Sequence, residues 1–159
     1  MHKGDVNEEM ALMHRRMAER GYKSTPQRDE IARWVFQTHD HFTVEDILED
    51  FRKDGKKISQ ATCYRVIQML LQLNLLIEHD FGRGVRFYEH TPGHPHHDHI
   101  ICNECGQIFE FQSEELENLK ESICQKNGFS MTRHNLSIYA NCNRCTPEEK
   151  AEKAKKRRY

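Results

Sequence analysis

Two Cys-x-x-Cys pairs, Cys102 with Cys105 and Cys142 with Cys145, constrain this chain more than any other feature. A Cys-x-x-Cys turn sets two thiolates on one side of a tight loop. Two such loops complete the tetrahedral sulfur shell of a structural zinc site. The stretch between them, residues 106–141, holds 36 residues, more than the roughly 15–20 of a compact zinc fold. A metal there ties together the ends of a segment long enough to contain a whole helix. A redox pair or buried free thiols would be the competing reading, but the pair occurs twice, each time after a strand-like run, and this favours zinc. Cys63 and Cys124 fall on apolar faces of predicted helices and read as small core residues.

The stretch "HPHHDHIICNEC", residues 94–105, adds nitrogen and oxygen donors beside the first sulfur pair. In an extended segment alternate side chains share a face. His97 and His99 then point one way, and His96 and Asp98 the other. Each face offers two ligands, which predicts two separate nitrogen/oxygen sites. Mixed His and carboxylate shells suit Fe²⁺, Mn²⁺, Co²⁺ or Zn²⁺. Glu89, Glu110, Glu117 and His134 lie near enough in sequence to complete them, and His41, before a predicted helix, is a further candidate. His2, His14, His39, His79 and His94 read as surface residues.

The elements around these ligands are legible from spacing. Met10, Met13 and Met17 mark a first helix that stops at Gly21. Thr25 caps a second, with Pro26 at its first position and Ile31, Trp34 and Val35 as its apolar stripe. Thr43 caps a third, with Val44, Ile47, Leu48 and Phe51 inward. Ser59 caps a fourth, with Cys63, Val66, Ile67, Leu70 and Leu71 on one face and Gln60, Tyr64, Arg65, Gln68 and Gln72 on the other. "LLIEHD" and "VRFYEH" then read as strands joined by the turn "FGRG". Three helices, a fourth with a polar face and a hairpin suit a winged helix-turn-helix. "TPGHP", residues 91–95, reads as a linker. The second half, with strands "DHIIC" and "QIFEF", a helix capped by Ser113 and a last strand before Cys142, is α+β. A closing helix is predicted from a capping box of Thr146, Pro147 and Glu149.

Composition narrows function by exclusion. No apolar run reaches the roughly 18 residues of a membrane helix, and the N-terminus lacks a signal peptide's apolar centre, so a cytoplasmic protein is expected. The formal net charge is −1, so any nucleic-acid contact must come from a local patch. A zinc hydrolase could use His and carboxylate ligands, but no HExxH-like motif is present and a winged helix precedes the ligands. A metal-storage role is a further alternative of that kind.

"TPQR" before a helix, "ATCYRV" in the fourth helix, "HHDHIIC-x-x-C" and a late Cys-x-x-Cys follow one another over nearly the whole chain. In that order they resemble the ferric uptake regulator family of metal-dependent repressors. The resemblance implies a winged-helix domain over 1–90, a hinge at 91–95 and an α/β dimerisation and metal-binding domain over 96–159. It implies structural zinc on Cys102, Cys105, Cys142 and Cys145. It implies a regulatory metal on His41, Glu89, His97, His99 and Glu110, and an additional one on His96, Asp98, Glu117 and His134. Operator DNA would be met by Gln60, Tyr64 and Arg65 of the fourth helix, with Lys23 toward the minor groove and Arg28 toward the backbone. The partners implied are DNA and a second copy of the chain, as dimer or tetramer, with no small-molecule substrate, no membrane and no enzymatic activity. Peroxide sensors of the family usually carry aspartates where Glu89 and Glu110 stand. Zinc sensors often use a regulatory cysteine, and 80–101 has none. Both features favour Fe²⁺, with peroxide, zinc or manganese sensing as alternatives. Two departures are local. "HTPGHP" is about one residue longer than in familiar members, and Cys63 stands where a small aliphatic residue is common.

Overall fold

The helices begin where a side-chain oxygen takes over an orphaned backbone N–H. In the computed structural model Asp5 caps α1 (Val6–Glu19), accepting from the Asn7 N–H at 2.9 Å. Thr25 caps α2 (Pro26–Gln37) and Ser59 caps α4 (Gln60–Gln72). Thr43 and Asp46 form a reciprocal capping box on α3 (Val44–Lys53). The structure describes residues 5–91, 96–146 and 148. The closing helix expected beyond Thr146, positions 92–95 of the expected hinge, and His2 and His94 lie outside the described residues. The chain divides into two compact units, Met1–Pro95 and His96–Tyr159.

The first unit is the expected helical domain with a two-stranded wing. β1 (Leu76–Asp80) pairs antiparallel with β2 (Arg86–His90). Its core is built from Met10, Met13 and Met17 of α1, Ile31, Ala32, Val35 and Phe36 of α2, Val44, Ile47 and Phe51 of α3, and Cys63, Val66, Ile67 and Leu70 of α4. Each large side chain removed from water here contributes about 1.5–3 kcal/mol before entropy is counted. The expected stripe of α2 needs one correction: Trp34 is only partly buried, and Ala32 and Phe36 complete the inner face. The indole N–H explains this. It donates to Asp50 Oδ2 at 3.2 Å, which holds the ring at the polar margin of the core. Leu48 and Leu71 also lie at that margin. Arg16 of α1 and Arg20, the residue that caps its C-terminus, clamp the end of α4. Arg16 donates to the Leu73 and Asn74 carbonyls at 2.7 and 3.0 Å, and Arg20 to the Gln72 carbonyl. They satisfy terminal carbonyls and place positive charge at the negative end of the helix.

The second unit is a three-stranded sheet in the order β4–β3–β5, made of β3 (Asp98–Cys102), β4 (Ile108–Phe111) and β5 (Ser137–Ala140). β3 and β4 are antiparallel and β3 and β5 parallel. Parallel strands need a crossover, and α5 (Glu114–Lys126), capped by Ser113, supplies it. No side chain of α5 is fully buried. Cys124 is therefore half-buried, not a core residue as expected, whereas Cys63 is fully buried.

Candidate metal centres

The sulfur cluster follows from sheet register. Cys102 ends β3, opposite Ala140 of β5, so the loop after β5 carries Cys142 back to it. The Cys142 N–H donates to Cys102 Sγ at 3.3 Å. Cys102 and Cys145 sulfurs lie 3.5 Å apart, Cys105 and Cys142 3.8 Å, and Cys142 and Cys145 2.9 Å. A tetrahedron with ~2.3 Å zinc–sulfur bonds has edges of about 3.8 Å, so the four thiols fit zinc. All six cysteines are free thiols. The Cys142 backbone N–H, with the amides of Cys105 and Glu104 in the loop after β3, draws the Cys102 thiol down to about 5, which supplies the first thiolate. Hydrogen bonding to Cys142, with burial, raises the Cys145 thiol. A bound cation would remove that penalty.

In the winged-helix unit the structure gathers His41, Glu89 and a histidine that was expected at the surface. His79 is buried, with its Nε2 3.1 Å from Glu89 Oε2. His41 Nε2 lies 3.5 Å from the same oxygen, and the two rings are 5.2 Å apart. One potential ligand atom from each of the three lies within 4.8 Å of the others. Phe81 stacks on His79 at 5.3 Å and meets His41 edge-on, closing the apolar side. The hairpin register, Ile77 opposite Glu89 and His79 opposite Phe87, makes His79 the diagonal neighbour of Glu89. Alternation along "LLIEHD" alone could not reveal this, because it depends on which residue faces it across the wing.

The second unit gathers the histidines of the run on two faces, as expected. On one, His99 pairs across β3–β4 with Glu110, and His97 Nε2 is 3.5 Å from Glu110 Oε1. The His97 and His99 rings are 5.0 Å apart. On the other, one potential ligand atom each of His96, Asp98, Glu117 and His134 lies within 4.8 Å of the rest. His134 Nε2 is 3.2 Å from Glu117 Oε1 and 3.6 Å from Asp98 Oδ1, and its ring lies 4.1 Å from that of His96.

The residues expected to meet DNA are outward in the first unit. Tyr64 is 45 % exposed, and Gln60, Arg65 and Lys23 are exposed. Gln60 also donates to Glu45 of α3 at 3.4 Å. Arg28 is half-buried, and its guanidinium donates to the Lys23 carbonyl. It thus fixes the backbone that presents Lys23.

A winged helix in one chain with a sulfur cluster and His/carboxylate clusters defines a metal-responsive DNA-binding regulator. The pattern of the ferric uptake regulator family matches residues 19–139, and the chain belongs to that family. A ferric uptake regulation protein of Neisseria meningitidis serogroup A is 36 % identical over 118 residues, covering 73 % of this chain and 81 % of the relative. The solved structure of the Helicobacter pylori ferric uptake regulator, described as having three functional metal-binding sites, superposes with a TM-score of 0.79 at 26 % identity, covering 89 % of this chain and 93 % of that one. The Francisella tularensis regulator with iron superposes at 0.69 with 31 % identity, over 77 % and 93 %. Among the described residues no helix is long and apolar enough to cross a membrane.

Proposed function

We propose that this chain is an Fe²⁺-dependent repressor of iron-homeostasis genes, acting in the cytoplasm. The observation that carries this reading is that each unit holds a preassembled half-shell. His41 and Glu89 meet in the first unit, and His97, His99 and Glu110 in the second. A metal that took ligands from both would fix the angle between them. Metal then acts as co-repressor by binding the DNA-competent arrangement better than the others. In a two-fold dimer that angle sets two α4 helices at successive major grooves, about 34 Å apart. Structural zinc on the four cysteines holds the second unit together, and the His96, Asp98, Glu117 and His134 cluster takes an additional metal within that unit.

A second copy of the chain is the proposed partner. Phe109, Ile100 and Ile138 form one row across the sheet, and Phe109 and Ile138 are exposed. Leu119, Ile123, Phe129 and Tyr139 of the same unit are also exposed. A sheet and helix this apolar in water mark an interface.

The choice of Fe²⁺ rests on glutamates at 89 and 110 and on the absence of cysteine from 80–101. Operator-binding titrations with anaerobic Fe²⁺, Mn²⁺ and Zn²⁺ test it, repeated after hydrogen peroxide. Fe²⁺ should activate binding at the lowest free concentration relative to its cellular level. Operator binding of equal strength in metal-free protein would overturn the whole reading. His97→Ala or His99→Ala should keep the fold and the sulfur-bound zinc yet lose metal-activated binding. His96→Ala should matter less, because its cluster lies within one unit.

A further inference from the structure

The His96, Asp98, Glu117 and His134 cluster already contains a cation of its own. Lys120 Nζ lies 2.8 Å from Asp98 Oδ2 and 2.8 Å from Glu117 Oε1. Asp98 is 1 % exposed. A carboxylate so deeply buried is costly unless a positive charge faces it, and Lys120 supplies that charge. Its side chain is itself only 18 % exposed. The other half of the cluster is left short of donors. Asp98 Oδ1 and His134 Nε2 are buried without a hydrogen bond, facing each other at 3.6 Å. A cleft of 310 Å³, lined in part by His96, Asp98 and Glu117, opens onto the same residues.

We infer that Lys120 is the resident counter-ion of this cluster, and that a divalent metal binds there by displacing its ammonium group. The inference rests on the reading of the cluster as a metal site. Charge decides it. Two carboxylates and one ammonium sum to −1. A divalent ion added beside an unmoved Lys120 would leave a like-charge contact at a few ångströms in a partly dry site. The lysine can yield because its four-carbon stem is flexible, and because it stands one turn from Glu117 on α5, where it can swing to water. Lys120 therefore sets the metal concentration at which this cluster fills, separately from the sulfur cluster. It also keeps Asp98 paired when metal is scarce, so the unit stays folded in both states.

The test uses the full-length protein with its sulfur-bound zinc, and Co²⁺ as probe, in a His97→Ala, His99→Ala background that silences the other nitrogen donors of the unit. Lys120→Met, which keeps length and removes charge, should tighten Co²⁺ binding by about tenfold or more. Lys120→Arg should bind like the parent. Unchanged or weaker binding in Lys120→Met, or tightening in Lys120→Arg as well, would overturn the inference. An independent readout needs no substitution at 120. Lys120 should be protected from a water-soluble amine-acetylating reagent in metal-free protein and become several-fold more reactive on Co²⁺ loading, as read by peptide mass spectrometry. Equal reactivity in both states contradicts displacement. His134→Ala identifies the site. If it leaves Co²⁺ stoichiometry intact, the cluster is not the metal site and the reading beneath the inference fails. If it abolishes binding while Lys120→Met changes nothing, only the displacement claim fails.

Discussion

Phe42 and Tyr88 exchange both backbone hydrogen bonds, 3.0 Å from Phe42 N to Tyr88 O and 2.8 Å in return. This one bridge lays the segment before α3 along β2 on the side away from β1. In an antiparallel pair the flanking residues also come opposite each other, so His41 meets Glu89. Both bridge residues are buried, which makes the arrangement rigid. Phe42→Ala should therefore cost about 3–5 kcal/mol, and urea unfolding measures it. A cost below about 1 kcal/mol, within the range of a surface change, would show that the bridge does not hold His41 in place.

Glu9 predicts a pH dependence with a definite sign. It is 4 % exposed, its carboxylate oxygens have no hydrogen bond, and His90 Nε2 stands 3.6 Å away. Burial, with Asp5 nearby, pushes its pKa from 4.5 to about 7. An acid raised on folding binds protons better in the native state, so its cost is absent below pH 4.5, grows as pH rises, and is complete above about 7. Glu9→Gln should match the wild type near pH 4 and exceed it by about 2–3 kcal/mol at pH 8. Thermal or urea unfolding at both pH values decides this. A Glu9→Gln protein less stable than wild type at pH 8 would mean that Glu9 is held ionised by His90.

Cys102→Ser or Cys142→Ser should remove one tightly held zinc per chain and destabilise the second unit, because the binding energy of a structural metal is also folding energy. Elemental analysis together with unfolding measurements tests both halves. Carefully purified wild-type protein without zinc would exclude the assignment.

On DNA, Arg28→Ala should weaken binding to every sequence about equally and reduce the salt slope by about one. Tyr64→Ala should instead lower the preference for operator over random DNA by about 1–3 kcal/mol, if the ring packs on a base. Metal content should be unchanged in both. Tyr64→Ala and Arg65→Ala proteins that hold operator as tightly as wild type at several salt concentrations would rule out α4 as the reader.

Glutamates at 89 and 110 also predict slow chemistry with peroxide. If Fe²⁺ is held as proposed, hydrogen peroxide that it reduces would be the source of the oxygen added to a histidine ligand, and glutamates in place of aspartates would slow that reaction. Mass spectrometry should find little oxygen added to either histidine at low peroxide. Rapid addition would assign the protein to peroxide sensing.

What could be read in advance was local or periodic. Thr25, Thr43, Ser59 and Ser113 were legible as caps because a cap is decided within three residues. The two faces of the HHDH run were legible because strand alternation is indifferent to context. His79, Glu9 and Lys120 were not. Each owes its role to a partner far along the chain or across a register: His79 to Glu89 in the hairpin, Glu9 to His90 of β2, Lys120 to Asp98 of β3. Composition marks such residues as surface, and only the folded chain shows which charge they face. Trp34 failed for the opposite reason, since its size suggested the core while its N–H required Asp50.

The parallel pairing of β3 with β5 bears on how this protein is made. Those strands can meet only when the chain between them loops back, and closing about 36 residues costs about 3 kcal/mol in entropy. The four-cysteine cluster sits where that loop closes, at the ends of both strands. A zinc ion held there would do the work of a covalent staple, but one that can be supplied or withheld. In chains made while zinc is scarce the strands of this unit would pair less stably, leaving their edges open to proteases and to one another. Availability of one metal would then govern how many regulator molecules exist at all, before any other metal governs what they do.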